Sequence, residues 1–515
     1  MSAKIAIRAD ASLSLGSGHV RRCLTLADQL SGLHCEVTFF TSRINGNLIS
    51  LIKSHGHSVK ILSSVMLDFE ENSASEVLPD DLQLGDARES VELSDGQLYD
   101  WMVVDHYGLN ETWQKFTRKI YKHLLVIDDL ANKRHDCDLL VNQNLGCDVL
   151  DYKALVPGKT VTLCGPSYAL LRSEFGELRA QALKSPRTSE LRSILIFMGG
   201  TDIGNITYSV LDALWKTKLK FLKNIYVAMG SGSTSISSVR TLLEKFNCYT
   251  ELLVDTTEMH KYMLMSDLSI GAAGGAAWER CCMGLPSILI TVAENQKKGT
   301  NALVKAGAAK AVDFDVSANN SLIKAIQDFS SGDKLSVMSS KAASICDGTG
   351  VSRVFRHMCL IDKTLLAPRM ATLEDGMLLL EWANDSVTRQ NSIKKELISR
   401  ENHFKWLADK LSNSQECIIY IVELPNGEPL GQIRFEKSGE RWSIDYSLGA
   451  SHRGQGFGEI LLNTGVRSLS EHHKGEIVSG IVKSENLASI RVFEKCLFDR
   501  LKIQTDGIVY FEKVL

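Results

Sequence analysis

The sequence predicts an α/β protein of three domains, the first two with parallel sheets and the third with a mixed, mostly antiparallel sheet. Three observations lead to this prediction. The chain has 515 residues, enough for roughly three domains at about 150 residues each. Short apolar runs alternate with amphipathic stretches over the first two-thirds of the chain, as in βαβ units. After about residue 360, the rhythm changes to apolar runs joined by turn residues.

The expected domains span residues 1–160, 161–358 and 359–515, and we expect the connection between the first two within residues 147–186, which lack clear periodicity. Fully apolar runs bounded by Gly, Asp and Asn predict central strands that are covered on both faces. The predicted strands of the two parallel sheets are Lys4–Ala9, Val37–Thr41, Trp101–Asp105, Leu124–Asp128, Leu139–Asn142, Ile194–Met198, Lys223–Met229, Leu268–Ile270 and Ser287–Thr291.

The third domain begins with two helices and a β-hairpin, whose turn is Pro425-Asn-Gly-Glu428. A further strand then leads through a glycine-rich turn into a helix. The predicted helices are Leu373–Ala383, Glu401–Leu411 and Glu459–Leu469, and the strands are Cys417–Leu424, Pro429–Glu436, Trp442–Leu448 and Ile477–Val482.

Composition and charge exclude several classes of protein. Fifty-eight Lys and Arg against 61 Asp and Glu give a net charge of −3, so we do not expect nucleic-acid binding. No apolar run approaches the ~20 residues of a membrane span, and the N-terminus lacks the apolar core of a signal peptide. The 12 cysteines are scattered without metal-ligand spacing. We therefore expect a cytoplasmic protein with reduced thiols and no metal.

A glycine turn follows the first predicted strand. Gly16 and Gly18 precede His19, and a helix is predicted from Val20 onwards. Glycines at such a turn let the backbone approach a ligand, and the helix N-terminus attracts anions. His19 is positioned to accept a proton from water as a general base. The alternative is a plain turn with a solvated or packed histidine.

Polar side chains follow two other strands of the first domain. Asp105, His106 and Tyr107 end one strand, and Asp128 and Asp129 end another. Because the carboxyl ends of parallel strands share one edge of a sheet, we expect these side chains near His19. The alternatives are helix capping by the aspartates and packing by the tyrosine.

The second domain has two glycine turns of its own. Gly199, Gly200 and Thr201 follow its first strand, where the backbone can approach a phosphate or a sugar. Residues 274–275 are both glycine and open a short helix, whose amides can hold a diphosphate. Glu279 lies about one turn later, where its carboxylate can accept both hydroxyls of a ribose.

These two Rossmann-like halves resemble the two-domain glycosyltransferase fold called GT-B. More specifically, the chain resembles the UDP-sugar hydrolases of pseudaminic acid biosynthesis. The resemblance rests on Arg8-Ala-Asp10, Gly16-x-Gly18-His19, Asp105-His-Tyr107, Ile127-Asp-Asp129, Met198-Gly-Gly-Thr-Asp202, Trp278-Glu-Arg280, Ala293-Glu-Asn-Gln296 and Asp347-Gly-Thr-Gly350.

That resemblance implies hydrolysis of UDP-2,4-diacetamido-2,4,6-trideoxy-β-L-altropyranose to free sugar and UDP. His19 would activate a water for direct attack on the anomeric carbon, with inversion. The substrate-binding residues that it implies are Arg8, Asp10, Gly16, Gly18, Asp105, Tyr107, Gly199, Gly200, Thr201, Gly274, Gly275, Glu279, Asn295 and Gln296.

A second signature lies in the third domain. Arg453-Gly-Gln-Gly-Phe-Gly458 joins a predicted strand to a helix, so that successive backbone amides and the helix dipole face one anion. This loop resembles the pyrophosphate loop of the GNAT acetyltransferase superfamily, which implies acetyl-CoA as cosubstrate. The cofactor-binding residues implied are Arg453, Gly454, Gln455, Gly456, Gly458, Asn486 and Ser489.

The acid and base of acetyl transfer are less defined. Many GNAT relatives carry a tyrosine acid where this chain has Phe493, so Tyr510 or a water would replace it. Asp445, and after it Glu436, are the candidate bases, although strand carboxylates are commonly exposed face residues. His403 and Trp406 match amino-sugar N-acetyltransferases of the same pathway, but their spacing of three favours core packing.

We therefore expect a bifunctional enzyme that acetylates the 4-amino group of a UDP-amino sugar and hydrolyses a UDP-sugar. One alternative is a GT-B glycosyltransferase, which releases UDP only with an acceptor. Another is a GNAT domain that only binds acyl-CoA as a regulator, or that acetylates a protein. The sequence leaves the sugar stereochemistry, channelling of intermediates and the oligomeric state open.

Overall fold

The computed structural model describes the chain apart from residues 1–2, 64–76, 185–190, 201, 203, 218, 292–295, 313–319, 330–332, 363–364, 393–394, 414, 425–426, 440 and 502–506. The chain forms two compact units. One contains residues 4–31 and 36–354, and the other consists mainly of residues 355–515. Within the described ranges, no helix has both the length and the apolar character that a membrane span requires.

The first unit contains two parallel sheets, and the first of these has seven strands. They are β1 (Lys4–Ala9), β2 (Glu36–Ser42), β3 (Ser58–Leu62), β4 (Tyr99–Asp105), β5 (Tyr121–Ile127), β6 (Leu139–Asn142) and β7 (Val161–Cys164). Their order is β3-β2-β1-β4-β5-β6-β7, so the most apolar strands lie in the centre, where both faces are covered. The helices between them are α1 (Gly18–Gly32), α2 (Ile49–Ser54), α3 (Asp80–Leu93) and α4 (Glu111–Thr117).

The second parallel sheet has six strands in the order β10-β9-β8-β11-β12-β13. They are β8 (Ser193–Phe197), β9 (Asn224–Met229), β10 (Tyr249–Val254), β11 (Leu268–Ala272), β12 (Ser287–Ile290) and β13 (Ala309–Val312). The helices are α5 (Ser173–Lys184), α6 (Ile206–Thr217), α7 (Ile236–Leu243), α8 (Met259–Met265), α9 (Ala276–Cys282), α10 (Lys297–Lys305), α11 (Asn320–Asp328), α12 (Lys334–Ala343) and α13 (Gly350–Ile361).

The second unit contains a seven-stranded sheet in the order β14-β15-β16-β17-β18-β20-β19. Its strands are β14 (Ala367–Met370), β15 (Cys417–Glu423), β16 (Pro429–Ser438), β17 (Arg441–Leu448), β18 (Ile477–Lys483), β19 (Asp499–Arg500) and β20 (Ile508–Val514). Its helices are α14 (Gly376–Asn384), α15 (Ser386–Asn391), α16 (Arg400–Ser412), α17 (Phe457–Ser470) and α18 (Leu487–Lys495). All neighbouring strands pair antiparallel except β17 and β18, which pair in parallel.

The predicted fold class is confirmed, with two parallel sheets followed by a mixed sheet. Residues 147–186 were expected to be loop-like, and this prediction is wrong where they form β7 and α5. Because β7 has only four residues at a sheet edge, its sequence carries no periodicity that would reveal it. The first sheet thus extends to Cys164, past the predicted boundary at residue 160, and the boundary at 358 falls within α13.

Candidate active sites

The turn between β1 and α1 forms the first candidate site. The Gly16 amide donates to the Ser12 carbonyl at 2.9 Å, and Gly16 has a φ of +77°, a left-handed conformation that favours glycine. α1 begins at Gly18 and places His19, which is 7% exposed, in its first turn. The imidazole therefore lies at the carboxyl end of β1, the edge where parallel sheets bind ligands.

Asp105 at the end of β4 is the direct partner of His19. Its Oδ1 lies 2.5 Å from His19 Nδ1, although 86 residues separate the two in sequence. The carboxylate makes Nδ1 the protonated ring nitrogen, which leaves the lone pair on Nε2 available to accept a proton. Burial alone would raise the pKa of Asp105, but Arg22 and His19 hold it well below its ordinary value.

Arg22, one helical turn after His19, braces this pair. Its Nε and Nη2 donate to the two oxygens of Asp105 at 2.5 and 2.6 Å, and its Nη1 donates to Asp129 Oδ2 at 2.8 Å. A guanidinium with two carboxylate partners holds both in fixed orientations. Arg22 was not among the site residues predicted from the sequence. Its spacing of three residues from His19, which puts both on one helix face, was the available signal.

Tyr107 and Asn144 complete the arrangement. The Tyr107 hydroxyl donates to Asp129 Oδ2 at 3.1 Å, and the Asn144 side chain donates to Asp129 Oδ1 at 3.0 Å. The Tyr107 ring packs edge-on against His19 with 4.5 Å between centroids. Burial, and then the charge of Asp129, raises the pKa of the Tyr107 phenol. The expected convergence of these strand ends on His19 is therefore observed for residues 105, 107 and 129.

The second candidate element is the turn between β11 and α9. Gly274 and Gly275 are exposed there, and Glu279 is half-buried on the following helix. The Glu279 carboxylate accepts no hydrogen bond from any described residue. Burial raises its pKa, while the nearby positive charges of Arg172, Arg280 and Arg21 act in the opposite direction. A half-buried carboxylate without an internal donor is suited to accept hydrogen bonds from a ligand.

A small cavity joins the two halves of this unit. Its empty volume is about 470 Å³. Asp129 and Asn144 line it from the first sheet, and Trp278, Gln296 and Lys298 line it from the second. Asp129 therefore belongs both to the network around His19 and to the lining of a cavity that α9 also lines.

In the other unit, a glycine turn leads from β17 into α17. Gly454 and Gly456 have φ values of +75° and +84°, which L side chains rarely adopt. Gly458 lies in the first turn of α17, where an added Cβ would come 3.1 Å from the Val492 side chain on α18. The turn therefore requires glycine for its backbone conformation and for close helix packing. The turn leads directly into the N-terminus of a 14-residue helix, a favourable place for an anion.

Known proteins resemble this chain in sequence and in fold. Over 305 residues the chain is 29% identical to a UDP-2,4-diacetamido-2,4,6-trideoxy-beta-L-altropyranose hydrolase of Campylobacter jejuni, a match that covers 59% of this chain and 97% of that protein. An uncharacterized protein of Methanocaldococcus jannaschii is 24% identical over 427 residues, covering 82% of this chain and 81% of its own. The crystal structure of MurG from Acinetobacter baumannii is 16% identical with a TM-score of 0.50, covering 70% of this chain and all of MurG.

Two domain families match separate parts of the chain. Residues 193–349 match the glycosyltransferase family 28 C-terminal domain, and residues 366–499 match the GNAT acetyltransferase domain. The chain is a fusion of a GT-B-like UDP-sugar hydrolase homologue with a GNAT domain. The resemblance that the sequence motifs indicated is thereby confirmed at the level of families and fold.

In the GT-B-like unit, Arg8 and Asp10 do not lie on the cleft surface. Both side chains are fully buried, and Arg8 Nη1 lies 2.8 Å from Asp10 Oδ2. Arg8 also pairs with Asp86 at 2.6 Å, and Asp10 accepts from the Ser42 amide at 2.7 Å. The expected contact of these two side chains with substrate is therefore corrected, because internal partners occupy them beneath the turn.

The remaining predicted residues of this unit are the two glycines after β8, Gln296, and two residues that the structure does not describe. Gly199, at φ +99°, and Gly200 form a turn in which Gly200 accepts from the Gly230 amide at 3.0 Å. An added Cβ at Gly200 would lie 3.6 Å from the hydroxyl of Ser17, in the turn of the first sheet. Gln296 lines the cavity described above. Thr201 and Asn295 lie outside the described residues.

In the GNAT domain, the predicted cofactor-binding side chains are engaged with the protein. Arg453 donates to Asp385 Oδ1 at 2.5 Å and to the Leu448 carbonyl at 3.0 Å. Asn486 caps α18 by accepting from the Ser489 amide at 3.1 Å. These bonds shape the backbone of the turn and the start of α18, and direct contact of these side chains with the cofactor stays a prediction. Gln455 is partly exposed, and its side-chain amide donates to the Ser451 carbonyl at 2.8 Å.

The proposed acid and base of this domain lie on different strands. The Asp445 side chain is 58% exposed and accepts from Gln432 at 3.1 Å, whereas Tyr510 lies on β20, beyond β18. Phe493 is buried in a ring stack, 4.9 Å from Phe511. The phenol beside it is Tyr446, with ring centroids 6.0 Å apart, and burial raises its pKa to about 12. Tyr446, which directly follows Asp445, was not among the residues predicted from the sequence.

Other predictions have simpler outcomes. Asp128 is buried and accepts from the Tyr152 hydroxyl at 2.8 Å, so it is a structural residue. His403 is buried against Trp406, with 5.6 Å between ring centroids, as the packing alternative predicted. In the part of the chain that the structure describes, no group of three or more His, Cys, Asp or Glu is arranged to hold a metal ion.

Proposed function

We propose that the GT-B-like unit hydrolyses UDP-2,4-diacetamido-2,4,6-trideoxy-β-L-altropyranose to the free sugar and UDP. The observation that supports this proposal most strongly is the buried pair of His19 and Asp105 at the mouth of the glycine turn. Glu279 and the exposed glycines of the second sheet supply a complementary nucleotide site on the same unit. The choice of sugar follows the Campylobacter relative.

His19 acts as the general base in this reaction. Its Nε2 takes a proton from a water molecule, whose oxygen attacks the anomeric carbon of the sugar. The bond between that carbon and the diphosphate oxygen breaks, and UDP leaves with the bonding electrons. Asp105 stabilises the imidazolium that forms. Because water attacks directly, the anomeric configuration inverts.

In this proposal, UDP binds at the glycine turn and the helix that follow β11 in the second sheet. Glu279 accepts hydrogen bonds from the ribose hydroxyls, and the amides after β11 face the diphosphate. The diphosphate is a good leaving group, so the site needs an oriented base and an anion cradle rather than a covalent intermediate. Tyr107 and Gln296 would line the sugar pocket.

Release of UDP without any acceptor tests the hydrolase. The purified chain is incubated with the UDP-diacetamido sugar, and free UDP is measured for the wild type, His19→Ala and the exposed control His472→Ala. We expect His19→Ala to lose about 10²–10⁴-fold in rate, with the control unchanged. Undiminished release by His19→Ala would remove His19 as the base. Release only when an acceptor is added would favour the alternative, a glycosyltransferase.

For the GNAT domain, we propose acetyl transfer from acetyl-CoA to the 4-amino group of the UDP-amino sugar precursor. The glycine turn of residues 453–458 supports this proposal, because its backbone suits the pyrophosphate of coenzyme A. The amine attacks the thioester carbonyl, the carbon–sulfur bond breaks, and the thiolate takes a proton from Tyr446. A water molecule accepts the proton that the amine loses, because Asp445, which precedes Tyr446 on β17, faces the opposite side of the sheet.

Mass spectrometry of the products tests both activities together. The full chain receives the UDP-4-amino sugar and acetyl-CoA, and we expect the acetylated UDP-sugar first and the free diacetamido sugar afterwards. Absence of coenzyme A release with this amine would favour the regulatory or protein-acetylating alternative. The UDP-sugar and acetyl-CoA are the partners we propose, in the cytoplasm and without nucleic acid or membrane, and the scattered cysteines are consistent with that compartment.

A further inference from the structure

Arg280 on α9 is a buried arginine that lacks a carboxylate partner. It is 1% exposed, and no carboxylate oxygen of the described residues lies within ion-pair distance. Two other arginines of this unit, the buried Arg8 and the largely buried Arg22, contrast with it. Arg8 pairs with Asp10 and Asp86, and Arg22 pairs with Asp105 and Asp129.

The guanidinium lies directly behind the glycine turn that follows β11. Its Nη2 donates to the Ala272 carbonyl at 2.7 Å, while its Nε has no hydrogen-bond partner among the described residues. An added Cβ at Gly271 would come 2.6 Å from Arg280 Nη1. Glycine at this position therefore leaves the space that the guanidinium fills, and the charge lies beneath the residues that lead to exposed Gly274.

An uncompensated buried charge opposes folding, because the group loses its hydration without a counter-charge. Burial lowers the pKa of Arg280 to about 10, and the nearby Glu279 raises it only in part. The side chain therefore stays protonated at neutral pH. Its hydrogen bond to one carbonyl does not neutralise it, and a bound anion could supply the missing negative charge.

We propose that Arg280 is the fixed counter-charge for the diphosphate of a nucleoside diphosphate at this turn. The inference rests on the proposed function and adds to it a division of roles between neighbours on α9. Consecutive helical residues differ in direction by about 100°. Glu279 is half-buried and takes the ribose, whereas Arg280 points behind the turn and attracts the diphosphate through its field.

Calorimetric binding of UDP and uridine to the full chain tests the inference. The proteins compared are the wild type, Arg280→Met, Arg280→Lys and the control Arg240→Met, which removes an exposed arginine from α7. We expect Arg280→Met to weaken UDP binding about tenfold or more and to change uridine binding less than about twofold. Arg280→Lys keeps the charge and gives an intermediate value, and Arg240→Met binds as the wild type does.

Thermal unfolding of the same proteins separates this role from a structural one. Since Arg280→Met removes an uncompensated charge from the interior, we expect its unliganded melting temperature to equal or exceed that of the wild type. UDP should raise that temperature less in the variant than in the wild type.

Three results would overturn the inference. They are unchanged UDP affinity in Arg280→Met, equal losses for UDP and uridine, and an unfolded or clearly less stable unliganded variant. If the wild type and Arg280→Met bind UDP equally well, this inference is refuted and the proposed nucleotide site is not. A wild type that binds neither ligand refutes the proposed nucleotide site itself, and the inference with it.

Discussion

Asparagine in place of Asp105 gives the sharpest test of the arrangement around His19. The Asp105 carboxylate accepts one hydrogen bond from His19 and two from Arg22. The change preserves the size of the side chain but removes its negative charge. In asparagine, an NH2 group replaces one of the two carboxylate oxygens. Because that group is a donor, it faces an N–H of His19 or Arg22 and cannot accept a hydrogen bond from it. Both the stability and the rate of UDP release should fall.

The structure sets the size of the loss in stability. Asp105 is fully buried and Arg22 is 12% exposed in its side chain. Removing one partner of a buried ion pair costs about 3–5 kcal/mol. Because Arg22 keeps Asp129 as a second carboxylate at 2.8 Å, we expect a loss in the free energy of unfolding near the lower limit, about 3 kcal/mol.

This loss depends on pH in a defined direction. Since the pKa of Asp105 is lowered in the folded protein, the full contribution of Asp105 to the free energy of unfolding is present at neutral pH. That contribution is lost as the pH falls below the pKa of an unfolded aspartate, about 3.9. The difference between the wild type and Asp105→Asn should therefore be largest near neutral pH and should shrink in acid. The rate of UDP release at pH 7 should fall by at least about 10²-fold, because the imidazole loses its orienting acceptor.

Urea unfolding and UDP release measure these two effects. Asp212→Asn, which breaks an exposed pair with Lys216 on α6, is the matched control and should cost less than about 0.5 kcal/mol. The double variant Asp105→Asn/Arg22→Met should be less destabilised than the sum of its single changes, since no arginine is left without Asp105. Wild-type stability in Asp105→Asn, together with UDP release within threefold, would refute the reasoning.

Three further predictions concern the nucleotide site and the GNAT domain. Glu279→Gln should weaken the binding of UDP and uridine alike by about tenfold, measured by calorimetry, because both carry the ribose. Gly456→Ala places a side chain at φ +84° and 2.7 Å from a neighbouring arginine side chain, so it should destabilise residues 355–515 by about 1–3 kcal/mol and weaken coenzyme A binding. Tyr446→Phe should slow coenzyme A release more than Tyr510→Phe, and added Phe493→Tyr should restore part of it; equal effects of the two single changes would exclude Tyr446 as the acid.

Prediction from sequence succeeded where the signal is local. The strand that leads into the Gly16–His19 turn and the helix that follows it are where the pattern placed them, because apolar periodicity and glycine mark them directly. The short edge strand Val161–Cys164 carries no such pattern, and its conformation depends on pairing with β6. Asp105 was predicted near His19 as a substrate ligand, but its oxygens are occupied by His19 and Arg22.

The sequence by itself determined the order of two parallel α/β sheets and a mixed sheet, the glycine turns and the identity of the polar residues at the strand ends. Only the tertiary structure decided which of those residues are partners. Arg8, Arg22 and Arg453 each carry the same charge, and all three are bound to carboxylates within the protein. Arg280 has no carboxylate partner in the part of the chain that the structure describes. The physical reason is that ion pairing depends on which strand ends and helices become neighbours in space, and residues as far apart as 19 and 105 meet only when the sheet has formed.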